Sequence, residues 1–283
     1  MVSSLSQDYL ELGGRLVGAL GEPVVTGLYL PVPLADETFR DEFGFVFLDS
    51  GDVGAFYVSM GGILRELWRR CPEPSGFRAE SRSLQQGFES DDWADRALAL
   101  GTFNALSAKL FRASGFQFKE RGGKSGLAEL DSQAPVGMVG YFKPLVDKLS
   151  EQGCTVLVLE QAPERIEQSE LVLRIDHPRE LTACSRVLCT AATLINDSLD
   201  WILEFVPRGT LELIGPSGSG LPDPLFKRGV TAVGGTLFPR RDALIHCLES
   251  GEPWGRAGKK VQLDAAAYPG VDGLMQRLAA SGS

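Results

Sequence analysis

Apolar residues follow two different periods along this chain, and the architecture changes where the second sets in. Near the start Tyr9, Leu12, Leu16 and Leu20 stand three or four apart, the spacing that lines one face of a helix, which predicts an amphipathic helix over residues 7–20. Residues 24–30, 43–48 and 53–58 are runs rich in β-branched and aromatic side chains, and the turn formers Asp49-Ser50-Gly51-Asp52 separate the last two. The three runs predict a small antiparallel meander. A helix is expected over residues 60–70, stopped by Pro72-Glu73-Pro74-Ser75-Gly76. A longer one follows from Ser90, whose hydroxyl can cap the first turn, to about Ser114, with Gly115 as its terminator. Its apolar stripe holds Trp93, Ala97, Leu100, Ala108 and Phe111, and Asn104 lies on the same face. A buried amide must find partners, and both a core asparagine satisfied by backbone and a ligand contact stand open for it.

From Pro135 short apolar runs alternate with helical stretches, the signature of a parallel sheet with crossover connections. Strands are expected at 136–142, 155–159, 186–189, 211–214 and 230–233, with a short extended piece at 171–173. Helices are expected at 144–152, 194–205, 224–228 and 241–249. After Gly251 the composition turns loop-like, with one short helix within residues 270–283. The reading divides the chain into an N-terminal α+β domain (1–120), a linker (121–134), a parallel-sheet α/β domain (135–250) and a C-terminal extension (251–283).

Composition narrows the function. A net charge of -9 argues against a dedicated nucleic-acid binder, because phosphate affinity comes mainly from Lys and Arg. No apolar run approaches the roughly 18 residues that span a bilayer, and the first residues lack a signal-peptide pattern, so a cytoplasmic protein is expected. Five cysteines without a Cys-x-x-Cys pair read as reduced thiols.

Parallel strands share a direction, so their exits gather along one edge of the sheet, where open α/β sheets bind ligands. That edge collects Gly137 and Gly140, Glu160, the turn from Thr190 to Asn196, the Gly215–Gly220 loop and Gly234-Gly235-Thr236. Glu160 ends the second strand, the place from which an acidic group accepts ribose hydroxyls, although Gly137-Met138-Val139-Gly140 is not a dinucleotide fingerprint. The Gly215–Gly220 loop is either an anion cradle or a tight connection. Phe118–Gly126 is not a P-loop, since Phe118 stands where glycine is required and a helix precedes it. The Gly215–Gly220 loop has Ser219 where a nucleophile elbow needs its last glycine, and only His177 and His246 could serve a triad, which argues against a serine hydrolase. Clustered Cys and His for a soft metal are missing, whereas Glu160, Asp197 and Asp200 offer hard oxygen ligands.

In their order, Asn104-Ala105-Leu106, Val139-Gly140-Tyr141-Phe142 with Pro144, Leu159-Glu160 with Pro163, Thr193–Asp200, Leu213–Ser217 and Gly234-Gly235-Thr236 give a pattern that resembles the putative heavy-metal chelation family, over roughly residues 7–250. The resemblance implies an enolase N-terminal-like domain followed by a Rossmann-like domain, with a site in the cleft between them. Asn104, Glu160, Thr193, Asn196, Gly215 and Ser217 would be its carried-over residues, and Gly140, Thr190 and Gly235 join them from the strand exits. The expected function is a chelation or metal-handling protein that binds a small anionic or metal-bearing ligand. The alternative is an enzyme with a nucleoside-containing cofactor at the sheet edge, so a metal ion and a nucleoside cofactor both stand open, as does enzymatic activity itself. Expected partners are a small-molecule or metal ligand, with no nucleic acid and no membrane, and a homo-oligomer is compatible with the sequence.

Overall fold

Ser4 starts the first helix, α1 (Leu5–Ala19): its hydroxyl accepts the Gln7 N–H while the Gln7 side chain accepts the Ser4 N–H, a reciprocal cap. In a computed structural model that describes residues 3–33, 42–118 and 134–281, this helix leads into an antiparallel sheet. Its strands β1 (Val24–Tyr29), β2 (Phe43–Leu48), β3 (Val53–Tyr57) and β4 (Ala79–Glu80) lie in the order β3-β2-β1-β4, so the meander is present and a short fourth strand extends it. Between β3 and β4 comes α2 (Ile63–Arg70), and after β4 a short α3 (Ser81–Gln85) that the apolar spacing did not announce. The long helix α4 (Trp93–Ala113) is capped by Asp92, whose carboxylate accepts the Ala94 N–H at 2.7 Å, and not by Ser90. Ser90 serves one step earlier, with its hydroxyl accepting the Asp92 N–H.

Seven strands form the second sheet: β5 (Val136–Val139), β6 (Val156–Leu159), β7 (Val172–Ile175), β8 (Arg186–Thr190), β9 (Leu211–Ile214), β10 (Ala232–Leu237) and β11 (Lys259–Asp264). Their order is β11-β10-β9-β8-β5-β6-β7, parallel throughout except for β11, which pairs antiparallel with β10. The chain therefore builds outward from β5 to β7, returns to the other side of β5 at β8, and continues the opposite way. The crossovers carry α5 (Lys143–Glu151), α6 (Leu199–Leu203), α7 (Asp223–Phe226) and α8 (Arg241–Ser250), and α9 (Gly270–Ser281) closes the chain.

Two expectations are corrected. Residues 251–281 are not loop-like, because Lys259–Asp264 adds a paired edge strand whose inward residues Val261 and Leu263 are buried. The helix expected over 194–205 is broken in two. A 3₁₀ turn spans Ala191–Leu194, the backbone then passes through the left-handed region at Asp197 (φ 60°), and only Leu199–Leu203 is α-helical. Most of the expected linker, residues 121–133, lies outside the described residues.

The antiparallel sheet is covered on both faces. On one, α1 and α4 pack Leu16, Phe103 and Leu106 against Val25, Val46 and Phe56. On the other, Phe45 meets Phe238 and Trp254 from the second sheet's flank, with ring centroids 5.1 and 6.2 Å apart. The two sheets therefore share packed surfaces instead of meeting at a solvated seam. Among the described residues no helix is long and apolar enough to cross a membrane.

Candidate functional site

The carboxyl ends of β5 and β8 are neighbours in the sheet, yet the chain leaves them in opposite senses around it, and a crevice opens where they part. Gly140 turns there with φ 82°, and a side chain at this position would meet Thr190 at 3.0 Å. Close approach of the two exits thus needs glycine as well as the positive φ. The crevice continues as a cleft of about 930 Å³. Its second-sheet wall holds Gly140, Tyr141, Glu160, Thr190, Thr193 and Asn196, with Trp201 at 45% exposure. The facing wall comes from the end of β3 and the start of α2, with Tyr57, Ser59, Met60 and Arg65.

Seven of the nine ligand-binding candidates line this cleft: Gly140, Glu160, Thr190, Thr193, Asn196, Gly215 and Ser217. Most are busy with local structure. The Glu160 carboxylate accepts the N–H of Tyr141 at 2.8 Å and of Ala162 at 3.0 Å, pinning the exits of β5 and β6 to each other. Thr190 caps the 3₁₀ turn through the Ala192 N–H, and Thr193 donates to the Thr190 carbonyl at 2.7 Å. The Asn196 oxygen accepts from Ser198, while its amide reaches the Met60 sulfur across the cleft at 3.7 Å. The Ser217 hydroxyl accepts the Tyr57 N–H at 2.9 Å, which stitches the two sheets together at the cleft floor.

Asn104 and Gly235 do not reach the cleft. Asn104 is buried at 1% exposure and donates to the carbonyls of Ala55 (2.8 Å) and Ser217 (2.9 Å), so it is a bracket behind the floor. Gly235 lies within β10, and glycine stands there because any side chain would strike the Ser219 backbone at 2.8 Å. Of the two readings open for the Gly215–Gly220 loop, the backbone bonds support the tight connection. The N–H groups of Gly215, Gly218 and Ser219 donate to the carbonyls of Gly234, Gly215 and Pro216, which makes the loop a tight connection. Replacing Asn104 by Ala leaves two buried carbonyls unpaired, and urea unfolding should show a loss of about 2 kcal/mol. An unchanged midpoint would return the amide to the ligand.

The three proposed metal ligands are not brought together. Asp197 faces Arg96 at 2.8 Å and Ser6 at 3.1 Å, and Asp200 accepts from Leu5 N–H (3.0 Å) and Arg228 (2.7 Å), both on the side of the turn away from the cleft. Buried arginines and a helix start claim these carboxylates, and local spacing cannot reveal that. Among the described residues no group of three or more His, Cys, Asp or Glu is placed to hold a metal. Soft donors are no better placed: burial pushes the Cys184 thiol up to about 11 and that of Cys189 up to about 12 despite a hydrogen bond with Thr193, so neither is a thiolate at neutral pH.

Sequence reasoning missed the cleft's cations and its facing wall. Arg65 is an exposed α2 side chain, and Arg174 of β7 pairs with Asp176 at 2.5 Å. Met60-Gly61-Gly62, which carries two left-handed glycines into α2, was the one local signal of an unusual turn on that side.

Comparison with known proteins agrees with this architecture. The family DUF364, with the description putative heavy-metal chelation, matches residues 125–266. An uncharacterized protein of Methanocaldococcus jannaschii is 27% identical over 207 residues, covering 71% of this chain and 77% of that protein. Two solved DUF364 structures of unknown function share the fold. The protein from Pyrococcus horikoshii has TM-score 0.67 at 16% identity and covers 92% of this chain and 99% of its own. That from Desulfitobacterium hafniense has TM-score 0.63 at 19% identity and covers 91% and 98%.

Proposed function

Since the chain belongs to the DUF364 family, putative heavy-metal chelation, we propose that the cleft where β5 and β8 part binds a small anionic or metal-bearing ligand between the two sheets. The family description supports a general metal-handling role. What carries the finer reading is the convergence of seven sequence candidates from four strand exits on one cleft of about 930 Å³, a volume suited to an organic ligand and far larger than an ion needs. Its division into an N-terminal unit and a parallel-sheet unit near residues 120–135 is part of the same proposal.

A metal bound only by this chain does not fit. Glu160 has both oxygens turned to backbone N–H groups, Asp197 and Asp200 are held on the far side of the turn, and no cluster of donors stands elsewhere among the described residues. A metal in this cleft is therefore cargo that arrives with donors of its own. The chain's part is to surround that complex: Arg65 and Arg174 offer guanidinium groups to its anionic rim, and Trp201 and Tyr141 offer apolar surface. Each Glu160 oxygen accepts a single N–H and keeps a second lone pair that a ribose hydroxyl can use, so the nucleoside-cofactor alternative is decided by the measurement and not by this carboxylate.

Native mass spectrometry with elemental analysis of the purified protein tests the proposal. A small-molecule adduct, with or without stoichiometric metal, is expected on the wild type and should be lost in Arg65→Glu, a surface change that spares the fold. An adenosine-type mass would instead select the cofactor alternative. Absence of any adduct, or equal retention in Arg65→Glu, would remove the support for a cleft ligand.

A further inference from the structure

One wall of the cleft is the stretch from Ala191 to Leu203, which contributes Thr193, Asn196, Ser198, Trp201 and Ile202. It is also irregular, with a 3₁₀ turn, a left-handed Asp197 and a single turn of α-helix. Its backbone bonds are short turn bonds, such as those from Ile195 and Asn196 to the Ala192 carbonyl and from Ser198 to the Thr193 carbonyl, with no strand ladder or long helix to reinforce them, so local opening is the expected behaviour unless something else holds it. Behind it stands Arg96 of α4, 6% exposed. Its guanidinium donates to the Ile195 carbonyl (2.7 Å), to the Phe88 carbonyl (2.7 Å) and to the Ser6 hydroxyl (2.8 Å), and lies 2.8 Å from the Asp197 carboxylate. Two of these contacts flank one residue: Ile195 precedes Asn196 and Asp197 follows it.

We propose that Arg96 is a positioning residue for the cleft, holding the Ile195 carbonyl before Asn196 and the Asp197 carboxylate after it, so that Asn196 and Trp201 keep their places in the wall. The inference rests on the cleft being the binding site. A planar guanidinium suits the task because its five N–H donors lie in a fixed fork, and burial makes each bond hard to exchange for water. The left-handed turn at Asp197 follows from the same arrangement. Asp tolerates positive φ, and with that turn its carboxylate lies against Arg96 while Asn196 faces Met60. Ser6 joins the pair, so the clamp also fastens the start of α1 to the wall.

Hydrogen exchange and acrylamide quenching of Trp201 read the wall directly in the unliganded protein, with the Trp201 signal taken as the difference from a Trp201→Phe background. In Arg96→Met, exchange within residues 191–203 should rise about tenfold and quenching about twofold, while Val136–Val139 in the sheet centre keeps its protection. Asp197→Asn, which tolerates positive φ and still accepts from Arg96, should stay close to wild type. If Arg96→Met does not fold, Asp197→Gly, which keeps the positive φ without strain while removing the carboxylate, is read in the same way. A purely structural arginine would lower protection everywhere alike, and either that outcome or an unchanged wall overturns the proposal. Because no ligand enters the experiment, its failure leaves the cleft-binding reading standing, and loss of that reading leaves the clamp measurable.

Discussion

Arg228→Met is expected to lower stability by about 3 kcal/mol at neutral pH and to flatten the acid limb of the stability profile. Arg228 is buried to 10% side-chain exposure between Asp8 of α1 and Asp200 of α6, and it also donates to the carbonyls of Ser3 and Pro224. Removing the guanidinium leaves Asp8, 11% exposed, without its nearest countercharge. The figure sits at the low end for a broken buried pair because Asp200 and Lys227 are about half exposed and water can compensate them. Burial alone would push the Asp8 carboxyl up, but hydrogen bonds from Arg228, then Ser3 and Lys227, outweigh it and hold the group below its ordinary value of 3.8. A carboxyl depressed in the folded state stabilises the fold above its unfolded pKa, and the contribution is lost as pH falls through the folded value. The gap between wild type and variant should therefore be full at pH 6–7 and narrow below about pH 4. Urea unfolding across that range checks it, and a gap independent of pH would assign the loss to packing rather than to the ion pair.

How much of this was legible in the sequence depends on whether its cause was local. The meander, the long helix with Gly115 at its end and the strands from β5 to β10 follow from periodicity and turn chemistry, and all are present. The stretch after Thr190 was not legible as it stands. Leu194, Ile195, Leu199 and Ile202 do fall at helical spacing, but the helix breaks at the left-handed Asp197, which is held by Arg96, a residue distant in sequence. Strand β11 escaped because an edge strand with only Val261 and Leu263 turned inward has too little alternation to stand out. The candidate site divides likewise. Residues at strand exits could be named from one parallel sheet, whereas Tyr57, Met60 and Arg65 enter the cleft only because the first sheet packs across the second. Asn104 and Gly235 were singled out for good reason, yet what constrains them is backbone packed against them, a bracket in one case and a close approach in the other.

That close packing sets the last expectation: Gly54→Ala should cost about 3 kcal/mol or more, or prevent folding, although it adds a single methyl group. Gly54 lies in β3 against α4, and its new carbon would stand 1.9 Å from the Gly101 carbonyl oxygen and 2.4 Å from the Ala105 nitrogen. Both obstacles are backbone, so no rotamer change relieves them and the helix itself must withdraw. Gly101 is itself a close approach to the sheet, since a side-chain carbon added to it would stand 2.5 Å from the Phe56 ring and 3.1 Å from Val46. Withdrawal of α4 stretches the bonds from Asn104 to Ala55 and Ser217, and with them the Ser217–Tyr57 link that forms the cleft floor. Where some Gly54→Ala protein folds, exchange at residues 215–221 should therefore rise along with the loss of stability. Gly14→Ala and Gly18→Ala give the control. Both lie in α1 with no heavy atom within 4 Å of the added carbon, and each should stabilise by about 0.5–1 kcal/mol through helix propensity. If Gly54→Ala unfolds at the same urea concentration as wild type while the two controls shift upward as expected, then β3 and α4 are not in backbone contact, and the route by which the first sheet holds the cleft floor is wrong.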